Sequence, residues 1–212
     1  MSSSRVGLQK SWRKIDMPGQ GRQGRSDAFQ RKARREGYRA RSTYKLKDIQ
    51  KRSKIFKTGD KVLDLGAAPG GWSQVALEFI GEEGKLVGVD LQHILPLKGA
   101  LFLQGDLREK EIRDKLHELM PKADVVISDM SPNLSGNYSV DQARSVELSS
   151  LALEIAAERM ASAFVVKVFE GADFQEYRKA VIDEFGSVRT LSPEASRKQS
   201  SEVYLIAKRK RR

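Results

Sequence analysis

The chain of 212 residues contains no cysteine. That excludes disulfides, thiolate zinc sites, iron–sulfur clusters and cysteine nucleophiles. Two histidines are too few for a histidine-rich metal site and leave little material for a histidine-centred triad. No apolar run approaches the length of a bilayer span. The N-terminus is polar and basic, without the apolar core of a secretory signal. The expectation is a soluble cytoplasmic protein with no membrane partner. No strongly apolar exposed stripe stands out, so a monomer is expected.

Acidic charge is in deficit. Lys and Arg number 39 against 28 Asp and Glu, a net charge of +11 with an isoelectric point near 9.8. Such an excess points to a polyanionic partner, nucleic acid ahead of an anionic membrane surface. The excess lies in the ends. Residues 1–40 hold 11 basic against 3 acidic side chains, and residues 208–212 are all basic. Residues 41–207 hold 23 against 25. The chain therefore reads as a basic N-terminal arm over 1–40, a near-neutral body over 41–207 and a basic tail over 208–212. The arm is expected to be flexible over 1–25 and helical over 26–40. Trp12, Phe29 and Tyr38 interleave with its arginines and offer stacking faces to RNA. A simple solubility tail is the plainer alternative, and composition alone does not separate RNA from DNA.

The body alternates short apolar runs with amphipathic stretches. Strands are predicted at 61–65, 86–89, 101–103, 123–128, 163–169, 187–191 and 203–207. Helices are predicted at 42–53, 72–80, 108–119, 140–160 and 173–185. Val75, Ala76 and Phe79 fall on one face of the second; Leu148, Leu151, Ala152 and Ile155 form the expected buried stripe of the fourth. This order predicts an α/β fold, a Rossmann-like, seven-stranded and mostly parallel sheet with helices on both faces. Only the loop 192–201 joins the last two strands, too short for a parallel crossover, so that pair should be antiparallel.

Between the first strand and its helix runs Gly66-Ala-Ala-Pro69-Gly70-Gly71-Trp72. In open α/β sheets ligands bind beyond the carboxyl ends of the strands, and glycines there admit a ligand close to the backbone. The following helix start offers free amides. A P-loop would need Gly-Lys-Ser/Thr, which is absent; a dinucleotide site wants a different glycine spacing. S-adenosylmethionine suits the loop best. Asp90, at the end of the second strand, can accept the ribose hydroxyls, and Asp106, at the end of the third, can face the adenine. The plain alternative is a tight turn without a ligand.

Lys167 stands in the apolar run Ala163-Phe-Val-Val-Lys-Val-Phe169. A lone cation in a buried strand is costly unless paired. Asp129 ends the preceding strand and is expected to meet Lys167 at the same rim, and Glu202 could supply a second carboxylate. A lysine flanked by charges in a dry site can serve as a general base. Lys45 is also readable as an ordinary surface pair with Asp48, one helical turn on.

Five segments together resemble the FtsJ-like ribose 2′-O-methyltransferases: Arg39-Ala-Arg-Ser-Thr-Tyr-Lys-Leu46, the stretch from Val62 to Gln74, Ser128-Asp-Met-Ser-Pro-Asn133, Phe164-Val-Val-Lys-Val-Phe169 and Glu202-Val-Tyr204. Their order and spacing agree with the family from about residue 27 to 207, and the match is nearest to the branch that modifies uridine in large-subunit ribosomal RNA. The resemblance implies a catalytic tetrad of Lys45, Asp129, Lys167 and Glu202. Lys167 would take the proton from the ribose 2′-hydroxyl, Asp129 would orient it near the donor, and Lys45 and Glu202 would position the hydroxyl. It implies donor contacts at Gly70, Trp72, Asp90, Asp106 and Asp129, and no metal. The sequence departs from the family pattern at the short turn 159–163, on the far side from the donor, and in its concentrated basic tail.

The resulting expectation is methyl transfer from S-adenosylmethionine to a uridine ribose of ribosomal RNA in the large ribosomal subunit. RNA is required because DNA lacks the 2′-hydroxyl. Methylation of a tRNA anticodon loop and a non-catalytic assembly factor remain the alternatives, with a nicotinamide oxidoreductase more distant.

Overall fold

The computed structural model describes residues 20–193, 195 and 201–209; over 20–27 it describes the backbone alone. The arm over 1–19 with Trp12, most of the loop before the last strand, and residues 210–212 lie outside the described residues.

The elements follow in the order α1 (Gln20–Arg35), α2 (Thr43–Ser53), β1 (Lys61–Leu65), α3 (Gly71–Ile80), β2 (Lys85–Asp90), β3 (Ala100–Gln104), α4 (Lys110–Leu119), β4 (Val125–Ser128), α5 (Tyr138–Glu158), β5 (Ala163–Phe169), α6 (Phe174–Phe185), β6 (Gly186–Leu191) and β7 (Glu202–Arg209). The seven strands form one sheet in the order β3-β2-β1-β4-β5-β7-β6. Strands β1 to β5 pair in parallel, and β7 runs antiparallel between β5 and β6. The expected antiparallel pairing of the last two strands is therefore present.

The strand order reverses between β1 and β4. The chain leaves β1 toward β3, then returns to lay β4 on β1's other side. Loops after these two strands must diverge, and the crevice between them is where such sheets bind ligands.

Side-chain alternation divides β5 between two cores. Phe164, Val166 and Val168 enter the larger one, under α4, α5 and α6. Ala163 and Val165 join the smaller one, under α2 and α3. Lys167 continues this second series by period two. A strand buried on both faces needs near-continuous apolar sequence, and Lys167 is its one charged residue.

Several predicted details are corrected. The first helix begins at Gln20, so 20–25 are helical rather than a flexible arm. Its Ala33 packs with Tyr44 and Ala195, which ties the arm to the body. Phe79 is 38% exposed and stacks on Phe56, and Ile80 takes the buried place on α3. In the tail, Lys208 and Arg209 belong to β7. Lys208 donates to the carbonyls of Ser53 and Lys54, and Arg209 to Ala161 and Glu184, so both are committed within the fold. Arg209 also pairs with the Glu184 carboxylate, whereas Lys208 keeps its positive charge at the surface.

The buried face of α5 also differs from the apolar stripe. Leu148 and Leu151 are only half-buried, whereas Ser145, Ser149, Ala152, Ile155 and Ala156 are buried. Small side chains let the helix approach β5 closely. Their hydroxyls satisfy its backbone: Ser149 Oγ donates to Lys167 O at 3.1 Å, and Phe169 N donates to Ser145 Oγ at 3.0 Å. A hydrophobicity pattern misses polar residues that are buried because the backbone needs them. Ser145→Ala should leave the Phe169 amide unpaired and cost about 1–3 kcal/mol, while Leu148→Ser should cost less. Denaturant titration of both variants checks the ranking; the reverse order would restore the apolar stripe.

Candidate active site

The glycine loop is shaped by three close approaches. Gly66 has φ +76°, and a Cβ there would sit 2.5 Å from Met130 Cγ, on the loop after β4. Gly70 is left-handed at φ +104°, and a Cβ there would sit 2.7 Å from Arg39 Nη1. Gly71 begins α3, with Thr43 Oγ1 2.9 Å from where its Cβ would be. First-turn amides of a helix have no intrahelical partner, so α3 presents donors at the crevice.

Arg39 clasps this loop. Its guanidinium donates to Pro69 O at 3.2 Å, Leu95 O at 2.7 Å and Pro96 O at 2.8 Å. One side chain thus ties the glycine loop to the segment after β2. Asp90 fastens the same two pieces: its Oδ2 accepts from Ala68 N at 2.9 Å and its Oδ1 from Gln92 N at 2.8 Å. Leu91, beside Asp90, is 63% exposed and offers an apolar face there.

Asp106 and Trp72 stand differently from a simple set of donor contacts. Asp106 is gripped by the Arg108 fork, with bonds of 2.6–3.1 Å, which holds its carboxyl below the usual carboxylate range. A ligand there would share the carboxylate with Arg108. The Trp72 indole points into the smaller core, where its N–H donates to Ser42 O at 3.0 Å and its ring packs on Tyr204. Its backbone amide, in the first turn of α3, is the group nearest the loop.

Asp64 was not foreseen as a site residue. It lies fully buried on β1 beneath α3, with Oδ2 accepting from Ser73 Oγ at 2.6 Å. Its Oδ1 has no partner among the described residues. Burial, aided by the Asp129 and Asp90 charges, pushes its pKa up to about 7.

The second half of the site is a charged cluster on the sheet face under α2. In the β5–β7 register Lys167 lies opposite Tyr204 and Phe169 opposite Glu202. Directly opposed residues share a face, and so do residues two apart. Glu202, Tyr204 and Lys167 therefore converge. Asp129 arrives from the adjoining end of β4, and α2 lowers Lys45 from above.

The contacts form a chain. Lys167 Nζ donates to Asp129 O at 2.6 Å and lies 3.2 Å from Asp129 Oδ1. Tyr204 Oη donates to Asp129 Oδ1 at 2.7 Å. Lys45 Nζ donates to Tyr204 Oη at 3.1 Å and pairs with the Glu202 carboxylate. Lys45 is thus buried in the cluster and not paired with Asp48, which takes Arg52 instead. Two lysines balance two carboxylates, and Lys167 is 6% exposed. Buried charges persist when paired and hydrogen-bonded.

Tyr204 is the link the residue-by-residue reading missed. Its hydroxyl joins the Asp129–Lys167 pair to the Lys45–Glu202 pair. Burial, reinforced by the two carboxylates, raises it well above the ordinary tyrosine range, so it remains a proton donor. The available signal was its period: two residues after Glu202 in the last strand.

A glycine cradle at the strand-order reversal, beside a paired-lysine cluster, defines a Rossmann-like transferase. Its small-molecule donor would lie across the ends of β1, β2 and β4. The methyl-transfer members of that class are where the comparisons fall. A family model described as FtsJ-like methyltransferase matches residues 38–210. The chain belongs to that family and is a methyltransferase. The ribosomal RNA large subunit methyltransferase E of Natronomonas pharaonis is 48% identical over 186 residues, covering 87% of this chain and 74% of that protein. The protein of the same name from Acinetobacter baylyi is 47% identical over 184 residues, covering 85% of each. A Plasmodium falciparum structure described as a ribosomal RNA methyltransferase superposes with a TM-score of 0.70 at 27% identity, covering 81% of this chain and 98% of that one.

Two outcomes test this geometry. Tyr204→Phe keeps the ring but removes the shared hydroxyl; single-turnover methyl transfer should slow by about 10- to 100-fold. An unchanged rate with a native fold would make the hydroxyl a bystander. For Asp64, the folded pKa lies above the unfolded one, so folding takes up a proton. Its contribution is fully present below about pH 4 and is lost as pH rises toward 7. Relative to Asp64→Asn, the wild type should lose stability across that window, on the order of a few kcal/mol. Parallel curves for the two proteins would mean that Asp64 does not titrate there.

Proposed function

We propose that the protein transfers a methyl group from S-adenosylmethionine to the 2′-hydroxyl of a uridine ribose in large-subunit ribosomal RNA, in the cytoplasm and on an assembled or nearly assembled subunit. The observation that carries the reading is the placement of Lys167. Its amine makes two contacts with Asp129, one to the backbone carbonyl and one to the carboxylate. A neutral amine has two N–H groups and one lone pair. In the neutral form that a general base requires, one N–H held by the Asp129 carbonyl leaves the lone pair to take the proton of a ribose hydroxyl.

S-adenosylmethionine supplies an activated methyl group on a sulfonium sulfur. The chain's residues do the rest. The glycine loop and the α3 amides hold the donor's methionine end, and Asp90 accepts its ribose hydroxyls. Asp106, sharing its carboxylate with Arg108, faces the adenine, with Leu91 as an apolar wall. Asp129 places negative charge near a cationic donor. Lys45, held by Glu202 and Tyr204, donates to the ribose oxygen as it loses its proton. Alignment of donor carbon and acceptor oxygen then provides much of the acceleration.

The relatives support the choice of substrate. Curated proteins 47–51% identical over most of the chain carry the name ribosomal RNA large subunit methyltransferase E. The basic helix α1 ends in Lys32, Arg34 and Arg35 and suits a phosphate backbone.

Methyl transfer to large subunits, naked ribosomal RNA and tRNA, all from cells lacking the protein, tests the reading. One modified uridine in the large subunit is expected, mapped by its resistance to alkaline cleavage. Label in tRNA would transfer the assignment to an anticodon loop; no label in any RNA would sink it. Lys167→Ala should lower turnover by about 10²- to 10⁴-fold while donor binding persists. Loss of donor binding in that variant would instead make Lys167 structural.

A further inference from the structure

Two apolar side chains on the rim of the site stay in water although the backbone carrying them is fixed. Leu134 is 69% exposed and Tyr138 is 57% exposed. The segment between β4 and α5 is anchored on both sides of Leu134. Arg144 Nη1 reaches Asn133 O at 3.5 Å. The buried Asp141 carboxylate accepts from Ser135 N and Ser135 Oγ, each at 2.7 Å, and from Gly136 N at 3.3 Å. Asn137 then caps α5, accepting from Ser139 N at 3.1 Å. Leu134 is therefore held outward by its own loop.

Tyr138 is held as well. Its hydroxyl donates to Glu170 O. Glu170 lies three residues beyond Lys167, and its N–H donates to Ser201 O at 2.8 Å, next to Glu202. One hydrogen-bonded seam thus runs from Tyr138 across the ends of the two strands that carry Lys167 and Glu202. The ring is fixed at its hydroxyl end and open to solvent.

A nucleobase hangs from the sugar carbon adjacent to the one that bears the 2′-hydroxyl. When that hydroxyl meets Lys167, a base turned toward Glu170 meets this rim. Bases taken out of a helix are held by stacking on aromatic faces. We propose that Tyr138, flanked by Leu134, is the platform on which an unstacked base of the RNA docks beside the reacting ribose. The inference rests on the ribose-methylation reading above. Every base has a π-face, so such a platform holds the substrate without reading its sequence. It raises affinity for single-stranded RNA at the catalytic end, apart from the phosphate contacts of the basic helix.

The test compares wild type, Tyr138→Phe and Tyr138→Ala in methyl transfer, together with binding of a single-stranded oligonucleotide that carries 2-aminopurine. Tyr138→Ala should raise KM for RNA by about 5- to 150-fold, the equivalent of 1–3 kcal/mol per stacked base. Donor affinity should not change. Tyr138→Phe retains the face and should recover most of the loss. Wild type should quench 2-aminopurine fluorescence on binding, and Tyr138→Ala should not. An unchanged KM in the alanine variant, or quenching that survives it, overturns the platform. A wild type that transfers methyl to no RNA overturns the ribose reading instead, and the quenching comparison still decides whether Tyr138 stacks a base.

Discussion

Two lysines and two carboxylates share a pocket that water barely reaches, and the tolerability of that arrangement constrains everything around it. Removing any one charge would leave another buried without compensation. The Tyr204 hydroxyl binds the two pairs into one network, donating to Asp129 and accepting from Lys45. The antiparallel turn of β7 makes this possible, because it sets Tyr204 directly opposite Lys167. A parallel strand in that place would enter from the other end of the sheet and would not bring Glu202 to the catalytic rim. The one reversed strand of the seven is thus tied to the site as well as to the sheet.

The donor side obeys a different constraint, close approach. Gly66, Gly70 and Gly71 are small because Met130, Arg39 and Thr43 already occupy the space a side chain would need. Arg39 and Asp90 each fasten the glycine loop to the segment after β2. The loop is therefore pre-organised by its neighbours. Since Arg39 lies just beyond the basic helix, the element suited to RNA and the one suited to the donor are mechanically joined. Bonds of Gln74 with the Arg39 amide and the Gly37 carbonyl strengthen the joint.

Much of the fold was legible because α/β sequences mark their elements strongly. Apolar runs ending in Gly66, Asp90 and Asp129 placed strands, and the short last connection foretold the antiparallel pair. The failures share a cause. Ser145 and Ser149 are buried for their hydroxyls, Phe79 is exposed beside a stacking partner, and Lys208 and Arg209 cap backbone carbonyls. In each case a contact distant in sequence outweighed the residue's own polarity.

The sequence by itself determined the element order, the odd lysine in an apolar strand and the acids at strand ends, because burial and periodicity are local properties. Its motifs also carried the resemblance to the methyltransferase family. Only the tertiary structure decided that Lys45 leaves Asp48 for Glu202, that Tyr204 bridges the two ion pairs, and that Asp64 lies buried with one oxygen unpaired among the described residues. Those pairings depend on strand register and helix placement across as many as 159 residues of chain. No local pattern encodes which distant charge will share a dry pocket; the packing of the sheet against α2 and α3 does.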